Sequence, residues 1–163
     1  RMDGRPKRSE ATYLAAGKDR YGERRGLGIS EIAFKVAQAD IPGVLILENT
    51  FHAPGGPARH LHHDQDEWFY IAEGEFLMEI GSERFELRQG DSIFGPRGVP
   101  HVWAYTGSAT SAAQGRIVIA FFPAGQMEAF FREATKANAM PPQDPELWRR
   151  HGMELLGPPL LRG

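Results

Sequence analysis

Four side chains in this sequence have the types and spacing of a metal site: His60, His62, Glu67 and His101. His60 and His62 are two residues apart, so on an extended strand both imidazoles point to the same face. Glu67 follows a short polar turn, and His101 can supply a third imidazole. Three neutral imidazoles and one carboxylate suit one divalent transition metal (Fe, Mn, Ni, Cu, Zn or Co) and leave one or two positions for water, O₂ or substrate. We therefore predict a metal site built from these four residues.

Short strands are the elements that must bring these side chains together. The 19 glycines and 12 prolines are spread through the middle of the chain, which favours many short strands over long helices. Two loops rich in proline and glycine, at 53–57 and 96–100, lead to His60 and His101. Apolar alternation and turn residues predict strands at 30–36, 44–51, 67–72, 75–80, 83–88, 92–95, 101–106 and 116–122.

The period of the apolar residues changes after Pro123. Met127, Phe130, Phe131 and Ala134 recur at helical spacing, which predicts an amphipathic helix over 126–138. A second helix is predicted over 145–156, with a proline tolerated in its first turn. Many short strands followed by helices indicate a mainly β protein, a sandwich or barrel with a helical lid. A barrel explains how two distant loops can meet.

Composition excludes several classes of protein. At 163 residues the chain is long enough for one domain with a proper core, and its formal net charge of −2 makes nucleic acid an unsuitable partner. The absence of cysteine excludes disulfides and thiolate ligands, so a metal must bind nitrogen and oxygen. No apolar run approaches the roughly 20 residues that span a bilayer, and the first residues do not resemble a signal peptide. We expect a soluble, cytoplasmic protein without a membrane partner.

Two motifs resemble those of the cupin superfamily. The first runs from His60-Leu61-His62 through Glu67 to Gly74, and the second runs from Gly90 through Pro96-Arg97-Gly98 to His101. Together with the segment between them they cover about residues 54 to 105. The first motif has Pro54 where a glycine is usual, and the second ends in Tyr105 instead of asparagine. Neither position is a metal ligand in the family, so the resemblance implies all four ligands in this sequence. It does not imply a particular reaction.

The resemblance implies a double-stranded β-helix, a jelly-roll or cupin barrel with C-terminal helices and one metal in its mouth, often as a homodimer. Composition and the change of apolar period divide the chain into a polar N-terminal arm (1–28), the barrel (29–122) and a helical extension (123–163). His52 and His63 are rival imidazoles, but alternation turns His63 to the opposite face, towards solvent. His151, in the C-terminal segment, is most simply a surface histidine.

The predicted strands also suggest a substrate class. By strand parity Phe69 and Ile71 share the face of Glu67, while Trp103 and Tyr105 share that of His101, which predicts an apolar, aromatic substrate pocket under the metal. Core packing explains any one of these four equally well. Phosphosugar isomerases would need an internal arginine or lysine to bind phosphate, and the predicted interior has neither. An aromatic, phenolic or otherwise apolar substrate fits better.

These expectations lead to a metal-dependent dioxygenase-type enzyme, an oxidoreductase. The stretch from Phe121 to Phe131 is also similar to the tails of quercetin dioxygenase-like cupins. Glu67 would act as fourth ligand or as the general base that deprotonates a substrate hydroxyl, and Tyr105 would donate a hydrogen bond to substrate. The alternatives are a non-catalytic small-molecule-binding module and a metal-dependent isomerase or decarboxylase.

Overall fold

The computed structural model describes residues 10–107 and 114–160, and in these ranges the chain forms eleven strands and two short helices. The strands are β1 (Arg25–Gly26), β2 (Ser30–Val36), β3 (Leu45–Phe51), β4 (Ala58–His62), β5 (Asp66–Glu73), β6 (Glu75–Ile80), β7 (Glu83–Leu87), β8 (Ser92–Gly95), β9 (His101–Gly107), β10 (Gly115–Phe122) and β11 (Met153–Pro159). The helices, α1 (Met127–Ala134) and α2 (Pro145–Arg150), lie between β10 and β11.

Two antiparallel sheets pack face to face around one core. The six-stranded sheet has the order β1-β2-β3-β10-β5-β8, and the five-stranded sheet has the order β11-β4-β9-β6-β7. Both sheets contain neighbours that are distant in sequence, which is the mark of a jelly roll. This arrangement confirms the predicted mainly β barrel with C-terminal helices. The largest fully buried side chains come from both sheets: Phe34, Leu45, Leu47, Phe51, Phe69, Ile71, Phe76, Met78, Ile117 and Phe121.

The eight predicted strands are confirmed to within two residues at their ends, because their alternation matches the pleat of a sheet with one face in the core. The hairpin of β6 and β7 shows the turn chemistry. Ile80 pairs with Glu83 across a two-residue turn, and Gly81 adopts the positive φ (58°) that such a turn requires.

An ion pair in the N-terminal segment is buried against β2. The Arg25 guanidinium donates two hydrogen bonds to the Asp19 carboxylate, at 2.9 and 3.2 Å, and both side chains are 3% exposed. Asp19 also accepts from the backbone amide of Phe34 at 2.8 Å, and the guanidinium lies 4.1 Å from the centre of the Phe34 ring. The segment from Asp19 to Gly26 is therefore fixed to the barrel. Residues 1–9 of the predicted arm lie outside the described residues, and the predicted domain boundaries stay predictions.

The C-terminal segment differs from the prediction. The helix expected over 145–156 ends at Arg150, and Met153–Pro159 forms β11, which pairs with β4. The helical prediction was wrong over 151–156 because Gly152 adopts a positive φ (80°), which ends the helix directly after His151. Proline is tolerated in β11 because this strand lies at the edge of its sheet. Neither helix of the described residues has the length and apolar character needed to cross a bilayer.

Candidate metal centre

The pairing of β4 with β9 brings the imidazoles of His60 and His101 together. His60 lies directly opposite His101 in this antiparallel pair, and their ring centres are 4.4 Å apart. His62, two residues further along β4, faces the same way, with its ring centre 5.4 Å from that of His101. All three side chains are buried. The parity of the His-x-His motif therefore holds, and the third imidazole meets the other two inside the barrel.

Glu67 reaches the imidazoles from the opposite sheet. It is the second residue of β5, in the six-stranded sheet, whereas the three histidines belong to the five-stranded sheet. Its Oε1 atom lies 2.8 Å from His62 Nε2 and 3.0 Å from His101 Nε2. The cluster therefore spans the interior of the barrel from one sheet to the other.

The donor atoms of the cluster fit a single small cation. One ligand atom from each of the four residues lies within 4.8 Å of the other three. Two ligands bound at about 2.1 Å can lie at most about 4.2 Å apart, so small inward shifts would complete the coordination. His62 Nε2 and His101 Nε2 are buried without a hydrogen-bond partner among the described residues, since their contacts with Glu67 lack hydrogen-bond geometry. A cation would satisfy both nitrogens.

Backbone carbonyls orient two of the rings. His60 Nδ1 lies 2.6 Å from the carbonyl oxygen of Ala58, and His101 Nδ1 lies 3.3 Å from that of Val99. A carbonyl can only accept, so these contacts place the ring proton on Nδ1 and leave Nε2 free for a metal. Backbone atoms of the same two loop-to-strand segments thus fix the ring orientation that the site needs.

The electrostatics of the cluster suit a cation. Burial, with the facing imidazoles of His101 and His62, holds the pKa of His60 well below its usual value. Burial raises the pKa of Glu67, but the two imidazoles beside it outweigh burial and leave that pKa well below its usual range. For His101, burial lowers the pKa, but the neighbouring Glu67 carboxylate has the larger effect and raises the pKa overall. An ionised carboxylate among imidazoles is a typical site for a divalent transition metal.

The cluster opens into a cavity of about 150 Å³. Its wall includes His60, His62 and Glu67, and the remaining wall is largely apolar. The aromatic side chains of the wall come from both sheets and from the C-terminal segment: Phe51, Trp103, Phe121, Phe130, Phe131 and Trp148. An apolar cavity of about this volume can hold an aromatic ring.

One of the four predicted substrate-binding residues, Trp103, lies in this wall. Phe69, Ile71 and Tyr105 point inwards, as their parity predicts, but pack in the hydrophobic core behind the wall. Tyr105 is four residues beyond His101 on β9, about 13 Å along the strand. The Tyr105 ring lies against Gly74 and Gly115, away from the cluster. Burial together with Glu73 and Glu75 raises the pKa of Tyr105. Parity gives the face of a strand but not the depth of a side chain in the barrel.

The remaining histidines lie outside the cluster. His52 is exposed, and so is His63, as alternation predicts for it; His63 Nε2 lies 3.5 Å from Glu154 Oε1. His151, expected at the surface, is half-buried; its Nδ1 lies 2.7 Å from the carbonyl oxygen of Leu147.

The sequence did not reveal the part of the site that comes from the C-terminal segment. Trp148 of α2 packs edge-on against the His60 ring, with centres 4.9 Å apart, and against Phe130 of α1 at 5.1 Å. The linker between the helices adds wall residues from Met140 to Gln143. The only signal was the amphipathic spacing of α1, which predicts a buried face but not what that face covers.

Two comparisons of sequence bear on this site. The family model described as "Cupin domain" matches residues 50–113, a range that contains all four cluster residues. An uncharacterized protein of Methanocaldococcus jannaschii is 43% identical over 42 residues, which are 26% of this chain and 34% of that protein. The match thus spans about a third of the length of that relative.

Solved structures resemble the fold. An RmlC-like cupin from Shewanella frigidimarina superposes with a TM-score of 0.54 at 22% identity, over 74% of this chain and 96% of the other. KdgF from Halomonas sp. gives 0.51 at 19% identity, over 62% of this chain and 87% of the other. At these identities the likeness shows the architecture and says nothing about activity.

Proposed function

Because the chain contains a cupin domain whose four cluster residues meet beside one cavity, we propose that it is a metal-dependent enzyme of the dioxygenase type. Its substrate would be a small aromatic, phenolic or otherwise apolar molecule held in the barrel. The observation that carries this proposal is the shared wall: His60, His62 and Glu67 line the same cavity as the aromatic side chains.

The chemistry of the wall supports an uncharged substrate. Among the described residues, no lysine or arginine lines the cavity, so a phosphate or carboxylate group would enter without a cationic partner. Apolar and aromatic side chains favour a planar ring, which they can pack against edge-on or stacked. A phosphosugar isomerase is therefore disfavoured by the wall itself.

His60, His62, Glu67 and His101 would hold one divalent transition-metal ion, for which Fe, Mn, Ni, Cu, Zn and Co are all chemically suitable. When bound, such an ion supplies Lewis-acid chemistry and, if it is redox-active, electron transfer. Glu67 serves as the fourth ligand in this proposal, because its Oε1 lies within 3.0 Å of both His62 Nε2 and His101 Nε2.

The other wall residues bind the substrate and exclude water. Trp103 and Phe121 provide apolar surface from the two sheets, while Trp148 and Phe130 cover the cluster from the C-terminal side. A dry wall strengthens the interaction between the ligand cluster and a substrate oxygen. Tyr105 has no part in this mechanism because it lies behind the wall.

Oxygen consumption tests the proposal. Protein purified without an affinity tag, and loaded in turn with each candidate metal, is incubated with flavonols, simple phenols and 1,3-dicarbonyl compounds in air and under nitrogen. We expect O₂ uptake that needs both metal and substrate and that stops in His101→Ala. Tight binding without O₂ uptake would instead indicate a non-catalytic binding module, and product formation under nitrogen would indicate an isomerase or decarboxylase.

The homodimer implied by the resemblance also stays a proposal. Light scattering of the purified protein checks it, with an expected mass of twice the 18.1 kDa of the chain. A mass equal to one chain at micromolar concentration contradicts it.

A further inference from the structure

Asn49 is a buried polar side chain in the cavity wall. It belongs to β3, where it faces inwards with Leu47 and Phe51, and it is 6% exposed. Its neighbours across the sheet are Ile32 on β2 and Ile117 on β10, which offer no polar side-chain atom. Its amide oxygen, Oδ1, has no hydrogen-bond partner among the described residues.

An unpaired amide oxygen in this position is costly to the fold. Buried polar side-chain atoms nearly always have a hydrogen-bond partner, and a leucine, which has the same branched shape, would suit the apolar surroundings better. Because Asn49 lines the cavity, a polar group bound there is the available partner for its side-chain amide. Ser30, on the adjacent strand β2, lines the same cavity and adds a hydroxyl to this part of the wall.

Asn49 lies far from the ligand cluster. Leu45, on β3, is in the same cross-strand row as Phe121 and Glu67. Asn49 is four residues further along that strand, which corresponds to about 13 Å. The cavity therefore has one polar end at the histidines and a second polar end at Asn49, with apolar wall between them.

We propose that Asn49 is a specificity-determining residue that accepts a hydrogen bond from a hydroxyl or amine group at the distal end of the substrate. The inference rests on the proposed function, which places the reacting end of the substrate at the ligand cluster. The substrate class becomes narrower: an apolar, ring-containing molecule that carries a hydrogen-bond donor remote from its reacting group. Selection of this kind is strong because a ligand without the donor leaves Asn49 unpaired.

A matched pair of ligands tests the inference. 2,6-Dihydroxynaphthalene and 6-methyl-2-naphthol share one hydroxyl for the ligand cluster and differ only in the group at the far end. Their dissociation constants are measured by calorimetry under nitrogen with the metal-loaded protein, with Asn49→Leu, and with Thr50→Val as the matched control. Thr50 is the next residue of β3, on its outer face and outside the cavity wall.

We expect the natural protein to bind the dihydroxy compound about tenfold more tightly than the methyl compound. Asn49→Leu should reduce this ratio to about one, while Thr50→Val preserves it. The melting temperature of Asn49→Leu should rise, because the change removes an unpaired buried polar group. A residue with a purely structural role would instead lower the melting temperature and leave the ratio unchanged.

The two proposals can fail separately. An unchanged ratio in Asn49→Leu, or no preference for the dihydroxy compound in the natural protein, overturns the role of Asn49 even where O₂ uptake is observed. A ratio that collapses in Asn49→Leu supports that role even where no O₂ uptake occurs, in which case the dioxygenase proposal fails alone. Elemental analysis of each variant confirms equal metal content.

Discussion

Glu67 is the acidic residue of the cluster and comes from a different sheet than the three histidines. We expect Glu67→Gln to weaken metal binding at least tenfold, because a neutral amide replaces an ionised ligand. Competition with a chelator of known affinity measures the change. Glu73→Gln, at the other end of β5 and outside the cluster, is the matched control. Full metal affinity with loss of O₂ uptake would assign Glu67 the general-base role instead.

The buried pair of Asp19 and Arg25 predicts a pH dependence of stability. Burial raises the pKa of Asp19, but hydrogen bonds from Arg25 and from the backbone amides of Phe34 and Tyr21 outweigh burial and lower it overall. A carboxyl group with a lowered pKa contributes stability that is complete above its ordinary value of 3.8 and is lost as the pH falls through the lower folded value.

Asp19→Asn should therefore lower the free energy of unfolding at pH 7 by about 3 kcal/mol, since it leaves the buried Arg25 guanidinium with only the exposed Glu23 carboxylate, 3.6 Å away. Below about pH 4 the difference from the natural protein should shrink. Urea denaturation between pH 3 and pH 7 measures both effects. Glu31→Gln, which breaks the exposed pair with Arg24, should change stability by less than about 1 kcal/mol. An equal loss in both variants would contradict the importance of burial.

Single residues show what the sequence could predict at this scale. The cluster residues His60, His62 and His101 were predictable because a two-residue spacing fixes a common strand face and motif spacing marks the third imidazole. Asn49 and Trp148 were not, because neither belongs to a motif and each acquires its position from tertiary packing alone. Phe69, Ile71 and Tyr105 were assigned to the correct face, but their depth depends on how far along each strand the cluster sits.

At the scale of elements, the C-terminal segment closes one side of the site. The strand β11 pairs with β4, which carries His60 and His62, and α2 places Trp148 against the His60 ring. The sequence predicted the strands of the barrel because hydrophobic alternation is a local signal. It did not predict β11, because an edge strand that contains two prolines has the composition of a loop and is stabilised by its partner strand.

Trp148→Ala should expose the cluster to solvent. We expect a loss of about 2 kcal/mol in the free energy of unfolding, since a half-buried indole is removed from Phe130 and His60. Ligand affinity should also fall several-fold, because the wall loses apolar surface. Denaturation and calorimetry with 2-naphthol measure the two effects. Trp68→Ala, on the outer face of the six-stranded sheet, should leave ligand affinity unchanged; an equal fall in both variants would contradict the assigned wall.

At the scale of the whole molecule, metal binding and folding are linked, because the ligand atoms meet only in the folded barrel. A metal present at a hundredfold excess over its dissociation constant contributes about 2.7 kcal/mol. For a domain of this size, removal by a chelator should then lower the melting temperature by about 5–10 °C. Calorimetric scans with and without added metal measure the shift. His101→Ala should show no metal-dependent shift, and a shift that persists in this variant would place the ion elsewhere.

The origin of the ligands in both sheets has a consequence for the lifetime of a bound ion. Three bonds would join the ion to the five-stranded sheet and the fourth would join it to the six-stranded sheet, so the ion would cross-link the two sheets. The ion would leave only after its bonds to both sheets had broken, because the bonds to either sheet alone would hold it in place. Exchange with ions in solution would be slow even where affinity is modest, and whichever ion arrives during folding would tend to stay.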